Sequence, residues 1–443
     1  MFRSFRPGRL PIALALLLGL SLTIHLGVGL TARANPWENY AGRGYLDLAE
    51  AIVRGDGYTG IRSCMPLYPL MLAGLLKGFG YAPIALLLLH AAFGVTITWA
   101  GYQIGRTLFS PAVGLVAGFV LALHPYLVKL TMQIIDTGPS VAFSSLGMVC
   151  LLRAWNHSSR ARLYALAGLF FGFATLVRPV SGPATVILAV VTLIGLVLQR
   201  RPGLAVRSSA AFLIVWMAVM LPWWAHNWLK YDTWIPLTAH GGVSVLKGHT
   251  PYYSRVHPLY DTDSFPYVSI PRVANDPVGD QSNRLSIQMA LDYLRQHPGE
   301  AILTDVRKVV WLYGWHKVPR SFANSSPKWD AAEHRVVDVA SLRPARQDVL
   351  YTVYWVPVLA LFLWGVWRSR SLARNLLPVY AFLGANAVAV ALTFADTRYR
   401  LEAEPLIAAL AAFAGVDVAT SLWRWVQERR APSTSERLCP STR

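Results

Sequence analysis

The sequence predicts an all-α polytopic membrane protein with about ten transmembrane helices and a small mixed segment outside the membrane. Three observations lead to this fold class. Of the 443 residues, 54% are hydrophobic and only 14% are charged, whereas a soluble domain carries about 25% charged residues. The mean hydropathy is +0.39. The apolar residues also fall into runs of about 20, the length that crosses a bilayer as a helix.

These apolar runs divide the chain. The first could pass for a signal peptide, but its length and the runs that follow favour a retained helix. We predict an N-terminal transmembrane module over 1–225 with outer loops at 33–80 and 124–137, a periplasmic segment over 226–348, C-terminal transmembrane helices over 349–430 and a cytoplasmic tail over 431–443. The predicted spans lie near 10–32, 82–104, 111–125, 138–154, 162–177, 180–199, 208–225, 349–367, 376–394 and 403–421.

The net charge is +18, and its distribution indicates topology rather than nucleic-acid binding. With the N-terminus inside, arginines recur at the cytoplasmic turns, as the positive-inside rule requires of a bacterial inner-membrane protein. The arginines of the first outer loop oppose this pattern. No basic-aromatic nucleic-acid module is present, and the three cysteines are too far apart for a metal site or a disulfide framework. Small-residue pairs predict close helix packing at Gly101/Gly105, Gly114/Gly118 and Gly168/Gly172.

Two charged residues stand at the ends of apolar runs, where charge is costly and therefore informative. Asp136 precedes the run that begins near Gly138. It is either a helix N-cap or a functional acid at the outer mouth of a helix. Arg178 and Pro179 interrupt a long apolar stretch. Arg178 is either a snorkelling side chain at a turn or an anion-binding arginine beside a broken helix.

The loops contain further candidates. In the first outer loop, Tyr45 begins a segment with the pattern of an amphipathic helix on the membrane, and Glu38 and Asp47 are possible bases that could equally be solvated carboxylates. His226 follows an aromatic belt and could meet a phosphate or simply anchor the interface. The loop from Asp396 to Pro405 combines two arginines with three acids. It is either a salt-bridged cap or a phosphate clamp, since guanidinium forks match phosphate geometry.

Taken in order, these motifs resemble the GT-C superfamily of membrane glycosyltransferases, in the branch of protein O-mannosyltransferases and lipid A aminoarabinose transferases. The resemblance extends over residues 10–420, and it rests on the shared order of motifs that are individually unspecific. The motifs are Tyr45, Ala49, Gly55, Gly57 and Tyr58; Pro66 to Pro69; Asp136; Leu176, Arg178 and Pro179; Pro222, Trp223 and Asn227; Gly241 and Gly242, running on to Gly248 to Pro251; and Arg398 to Arg400.

The resemblance implies a sugar donor linked to polyprenyl phosphate, an acceptor outside the membrane and an inverting transfer. Family members place their first-loop acid three or four residues before the matched tyrosine, where this chain has Ala41 and Gly42; His226 also stands where relatives have arginine. The divalent metal of some members is a possible cofactor, although no metal ligands are predicted. The implied residues are Glu38, Asp136 and Asp47 as acids; Arg178, His226, Arg398 and Arg400 around the donor phosphate; and Tyr45, Tyr68 and His240 at the substrate.

Two alternatives remain at this stage. A transporter or flippase would have similar hydropathy, but it predicts charges at mid-membrane, whereas the charges here lie at the outer mouths. A non-catalytic binder of lipid-linked sugars is motivated by the missing first-loop acid. Membrane lipid is a partner in every case, and nucleic acid in none.

Overall fold

The computed structural model describes residues 9–31, 43–58, 64–158, 161–253, 271, 273–274, 276, 278–314, 328–330, 332, 335–337 and 346–430. Glu38 lies outside the described residues, so its role remains a prediction. The described residues are almost entirely helical, as predicted. The one described sheet is an antiparallel pair, β1 (Lys328–Asp330) and β2 (Arg335–Val337), in which Trp329 lies opposite Val336.

The helices follow one another with short connections. In chain order they are α1 (Arg9–Thr31), α2 (Arg43–Arg54), α3 (Leu67–Phe79), α4 (Pro83–Leu108), α5 (Pro111–Ala122), α6 (Pro125–Thr131), α7 (Thr137–Arg153), α8 (Ala161–Val177), α9 (Ser181–Leu198), α10 (Pro202–Tyr231), α11 (Gly241–Gly248), α12 (Asp280–Gln296), α13 (Pro298–Leu312), α14 (Arg346–Arg368), α15 (Leu377–Leu392), α16 (Thr397–Arg400) and α17 (Glu404–Arg430).

Proline and polar caps set the starts of α5 and α6. Pro111 and Pro125 occupy the first turn, where a missing N–H costs nothing. The Ser110 hydroxyl accepts from a backbone N–H of α5, and His124 Nδ1 accepts from the Leu127 N–H at 3.1 Å. His124 also stands at the break between the two helices, which are bent by 64°. The chain therefore turns sharply at His124, before the short helix α6 that leads toward Asp136.

Six stretches of the described chain are long and apolar enough to cross a membrane: α1, α4, α9, α10, α14 and the stretch through α16 and α17. The bent pair α5 and α6 makes a seventh if it forms one span. These helices make the chain a multi-pass membrane protein, but the predicted number of about ten spans is not confirmed. The difference arises because α7, α8 and α15 have only 17, 17 and 16 residues, short of the usual span of about 20. Helix α10 also continues to Tyr231, past the predicted boundary at 225.

Glycines allow the helices to pack closely, as predicted. Gly105 of α4 lies against the backbone of Gly114 on α5, and Gly168 of α8 lies against the Phe212 carbonyl of α10. A side chain at these positions would push the helix backbones apart. The main apolar core extends through α4, α5, α7, α8, α14 and α17. It brings the α6–α7 turn, the α8–α9 turn and α16 to one region, where the polar residues described next meet.

Candidate functional site

Arg178 lies at the centre of a buried polar cluster between α8 and α9. Its N–H donates to the Ala174 carbonyl as the last bond of α8, and Pro179, which has no N–H, then ends the helix. The guanidinium is only 4% exposed. Its Nε lies 3.5 Å from Asp136 Oδ2, and its Nη1 lies 3.8 Å from Glu402 Oε1. The arginine therefore joins two carboxylates from distant parts of the chain and does not snorkel to solvent.

Asp136 is not used as a helix cap. It stands at the N-cap position of α7, but its backbone is αR and its side chain makes no capping hydrogen bond; one carboxylate oxygen lies near Arg178 instead. Among the described residues, Asp136 Oδ1 and Arg178 Nη1 are buried atoms without a hydrogen-bond partner. Unpaired buried polar atoms are uncommon in native proteins and require an explanation. One acceptor and one cationic donor therefore remain available at the same place.

Glu402 is the second acid of the cluster, and it was absent from the predicted site. Its Oε1 accepts a hydrogen bond from the Ser140 hydroxyl at 2.7 Å, and its Oε2 accepts from the Ser181 hydroxyl at 3.3 Å. These serines lie in the first turns of α7 and α9, so Glu402 connects both helix starts. With one carboxylate on either side, the Arg178 charge is compensated in spite of its burial.

Arg398 and Tyr399 bring α16 to the same cluster. Asp396 caps this short helix by accepting from the Arg398 N–H at 2.8 Å, and its other oxygen lies 4.0 Å from the Arg398 guanidinium. The Tyr399 ring contacts both arginines, with its centroid 4.9 Å from the Arg178 guanidinium carbon and 5.3 Å from that of Arg398. This arrangement places two guanidinium groups on one aromatic ring.

Tyr45 and Tyr68 complete the cluster from the first outer loop. Their rings meet edge to face, with centroids 5.3 Å apart. His90 Nδ1 lies 2.6 Å from the Thr131 carbonyl and must donate to it, so its Nε2 accepts from the Tyr68 hydroxyl at 3.1 Å. Burial, and then the negative charge of Asp136, raise the pKa of Tyr45 well above its ordinary value. Tyr45 is thus a neutral hydrogen-bonding group beside Asp136.

Arg400 belongs to a separate buried network. Its Nε donates to Glu404 at 2.8 Å, its Nη1 donates to the Leu312 carbonyl at 2.7 Å, and its Nη2 donates to the Tyr351 hydroxyl. The guanidinium carbon lies 3.5 Å from the centre of the Trp355 ring. Because all three nitrogens already donate within the protein, this placement gives no support to the predicted phosphate contact, and Arg400 is not carried into the proposal below.

Three other predicted residues lie on α2, on α10 and at the start of α11. His226 stacks on Trp223, with ring centroids 6.0 Å apart, and faces Tyr58 at 6.4 Å. Asp47 is exposed on α2. His240 stands at the start of α11, half-buried. Their predicted roles remain predictions.

Helical periodicity is a signal that could have separated the two arginines. Residues four apart lie on one face of a helix, and residues two apart lie on nearly opposite faces. Arg398 and Glu402 form one such pair, and Arg400 and Glu404 form the other. The first pair faces the Asp136–Arg178 cluster, and the second faces α14. The segment from Asp396 to Pro405 therefore forms a salt-bridged cap on the face of Arg400 and Glu404, and a candidate phosphate clamp on the opposite face, which carries Arg398.

A divalent metal does not fit the described residues of this cluster. No three His, Cys, Asp or Glu side chains converge to hold an ion in the part of the chain that the structure describes. Asp136 and Glu402 are joined by the Arg178 guanidinium, so a metal between them would have to displace a buried cation. We derive no chemical step through a metal.

Comparison with known proteins gives one family match. Residues 63–226 match the family model described as dolichyl-phosphate-mannose-protein mannosyltransferase. The matched region contains Tyr68, Asp136 and Arg178, and it confirms the resemblance to GT-C glycosyltransferases that the motifs predicted. No curated protein sequence matches the chain.

Solved structures show the fold. The oligosaccharyltransferase AglB from the archaeon Archaeoglobus fulgidus, in complex with an inhibitory peptide and a dolichol-phosphate, matches with a TM-score of 0.59 and 12% identity, covering 97% of this chain and 52% of that one. The apo enzyme matches with a TM-score of 0.54 and 12% identity, covering 96% and 52%. The chain thus spans about half the length of these structures. ArnT from Cupriavidus metallidurans, bound to undecaprenyl phosphate, has a TM-score of 0.41 and 13% identity, covering 97% and 81%.

Proposed function

We propose that this chain is a glycosyltransferase that moves a sugar from a polyprenyl-phosphate carrier to an acceptor hydroxyl at the periplasmic face of a bacterial inner membrane. One observation supports this function best. Arg178 Nη1 and Asp136 Oδ1 are both buried in this cluster, and neither has a hydrogen-bond partner among the described residues. Transfer from a phosphate carrier needs a cationic donor for the leaving phosphate and an acceptor for the proton of the attacking hydroxyl.

The phosphate side of the reaction is assigned to Arg178 and Arg398. Both guanidinium groups pack on Tyr399, and planar guanidinium forks match the oxygens of a phosphate. As the bond between the anomeric carbon and the phosphate oxygen breaks, the leaving polyprenyl phosphate takes the electron pair. The two arginines stabilise that charge in a buried site of low dielectric, where such interactions are stronger than in water.

The acceptor side is assigned to Asp136. The acceptor oxygen forms the new bond to the anomeric carbon, and its proton passes to Asp136 Oδ1, the carboxylate oxygen that has no hydrogen-bond partner among the described residues. A single displacement inverts the anomeric centre. Glu402 balances the charge of Arg178 from the other side, and Tyr45 and Tyr68 are proposed to contact the sugar. Glu38, the acid of the first loop, remains a further candidate for the base and lies outside the described residues.

The test uses membranes from a strain that lacks this protein. Membranes restored with the parent protein are given radiolabelled polyprenyl-phosphate mannose, a probe chosen because of the family match, and label transfer to envelope material is followed. We expect Asp136→Asn to lower transfer by about 100-fold or more, while undecaprenyl phosphate still binds. The matched control is Asp292→Asn, an exposed acid on α12, which should transfer normally.

Three other outcomes separate the alternatives. Normal transfer by Asp136→Asn would remove the assigned base. Binding of undecaprenyl phosphate by the parent without transfer to any acceptor would favour the non-catalytic binder. Movement of labelled lipid across proteoliposomes without transfer would favour a flippase.

A further inference from the structure

Helix α13 of the 226–348 segment packs against the chain that leads into α16. Lys308 on α13 is fully buried, and its Nζ donates to the Ala391 carbonyl at 2.8 Å. The same nitrogen donates to Asp305 Oδ1 at 2.8 Å. Asp305 in turn lies 3.2 Å from His249 Nε2, at the end of α11. A lysine in the 226–348 segment thus holds the last turn of α15, just before Asp396.

A second set of contacts lies a few residues further along. The Tyr253 hydroxyl accepts from the Ala395 N–H at 2.8 Å. Gly248, at the end of α11, lies so close to the Thr393 carbonyl that a Cβ there would clash with it. These contacts fix the backbone of residues 393–395 directly before the Asp396 cap of α16.

A third contact lies on the far side of α16. The carbonyl of Leu312, the last residue of α13, accepts from Arg400 Nη1 at 2.7 Å. Helix α13 therefore holds the chain both before and after Arg398 and Tyr399. Arg398, which is assigned to the phosphate, and Tyr399, on which it packs, lie between these anchor points.

Burying a charged lysine costs free energy, and in this structure the Lys308 ammonium donates hydrogen bonds to two acceptors. Burial lowers the pKa of Lys308 to about 8, and the Asp305 carboxylate opposes that shift. Burial would raise the pKa of Asp305, but hydrogen bonds from His249 and Lys308 outweigh it and hold that pKa below its ordinary value. Replacing buried ion pairs by apolar side chains is often neutral or stabilising. Stability alone is thus a weak reason for this arrangement.

We propose that Lys308 is a positioning residue, which holds residues 391–396 so that Arg398 and Tyr399 face Arg178 and Asp136. The inference rests on the proposed function for the phosphate role of Arg398. Loss of the lysine would release the last turn of α15 and allow α16 to shift. A shift of about 1 Å is enough to weaken a positioned site strongly.

The experiment compares Lys308→Met with Arg307→Met, an exposed neighbour on the same helix. The dissociation constant for undecaprenyl phosphate is measured by native mass spectrometry in detergent at pH 7, together with hydrogen exchange of residues 393–400. We expect Lys308→Met to weaken binding about 10-fold and to speed the exchange of these amides, and Arg307→Met to change neither. Tyr253→Phe removes a single acceptor and serves as a second variant if Lys308→Met does not fold.

A double variant separates positioning from general loss of structure. If Lys308 acts through Arg398, adding Lys308→Met to Arg398→Met should weaken binding less than about 2-fold further, because coupled residues are not additive. A full second 10-fold loss, or unchanged binding and exchange in the single variants, would overturn the inference. Failure of the parent protein to bind undecaprenyl phosphate would count against the proposed function instead, and the exchange of residues 393–400 would still decide whether Lys308 holds α16.

Discussion

Arg178→Met removes the cation that lies near both Asp136 and Glu402, and it separates a structural role of Arg178 from a chemical one. Methionine keeps most of the length of the side chain but leaves the two carboxylates facing each other without the charge between them. The Arg178 side chain is only 5% exposed and those of Asp136 and Glu402 are 13% and 3% exposed, so water cannot screen the loss fully. Breaking a buried ion pair by removing one partner costs about 3–5 kcal/mol. We expect a lower melting temperature.

The same substitution should also slow sugar transfer, and the expected increase in activation free energy is similar in size to the loss of stability but has a different cause. Removing one preorganised donor to a developing negative charge costs about 2.7–4 kcal/mol, or about 100- to 1,000-fold in rate. Some activity should remain, because the Arg398 guanidinium packs on the same Tyr399 ring. The assay pairs melting temperature in detergent with label transfer from polyprenyl-phosphate mannose. Arg207→Met, an exposed arginine on α10, is the matched control.

The double variant Arg178→Met/Glu402→Gln decides between the two roles. It removes one buried negative charge together with its cation, so much of the lost stability should return. The new amide oxygen at position 402 could still accept from Ser140, which donates to Glu402 at 2.7 Å in the parent. Transfer should stay low, because the phosphate donor is still missing. If stability and transfer recover together, Arg178 is a structural counter-ion only, and the phosphate assignment fails.

Four further outcomes are expected. Arg398→Lys keeps the charge but loses the fork, so the KM for the donor should rise about 10-fold with little change in kcat; an unchanged KM would remove Arg398 from the site. Gly248→Ala forces a methyl group against the Thr393 carbonyl and should cost about 1–3 kcal/mol, seen as a lower melting temperature, whereas Gly241→Ala, with open space around it, should not. The pKa of Lys308 is about 8 in the folded protein, against an ordinary lysine value of 10.5, so the unfolded chain binds more protons between those pH values. Thermal unfolding measured between pH 7 and 10 should then show the stability of the parent protein rising relative to that of Lys308→Met, by up to about 1.4 kcal/mol per pH unit. Parallel curves of stability against pH for the two proteins would contradict this. Finally, washing with EDTA should leave transfer unchanged, because a guanidinium already lies between the two carboxylates; a rate restored only by Mg²⁺ or Mn²⁺ would refute this.

Part of the candidate site could be predicted from the residues. Asp136, Arg178 and Arg398 stand out because charge beside an apolar run is costly, and the structure brings all three to one cluster. Glu402 could not be chosen over Glu404 by composition, since both follow the same arginines. Only the phase of the helical turns, and the helices packed on either side, direct Glu402 to Arg178 and Glu404 to Arg400.

The number of membrane spans is a second feature that the sequence alone does not predict correctly enough to be confirmed. Hydropathy measures whether a segment can leave water, but it does not distinguish lipid from the protein interior as the destination. Helices α7 and α8 have 17 residues each, and most residues of α7 are buried against other helices. The apolar run at 138–154, which resembles a separate span in the sequence, forms in the structure a short helix that is mostly buried.

The sequence by itself determined that the chain folds as apolar helices in a membrane and which charged residues stand at their ends, because the transfer free energy of a segment depends on its own side chains. The tertiary structure alone decided which charges meet. An ion pair such as Arg178 with Asp136 and Glu402 joins residues from distant parts of the chain, and its formation depends on helix packing that no local pattern records. The same packing places Lys308 of the 226–348 segment behind α16.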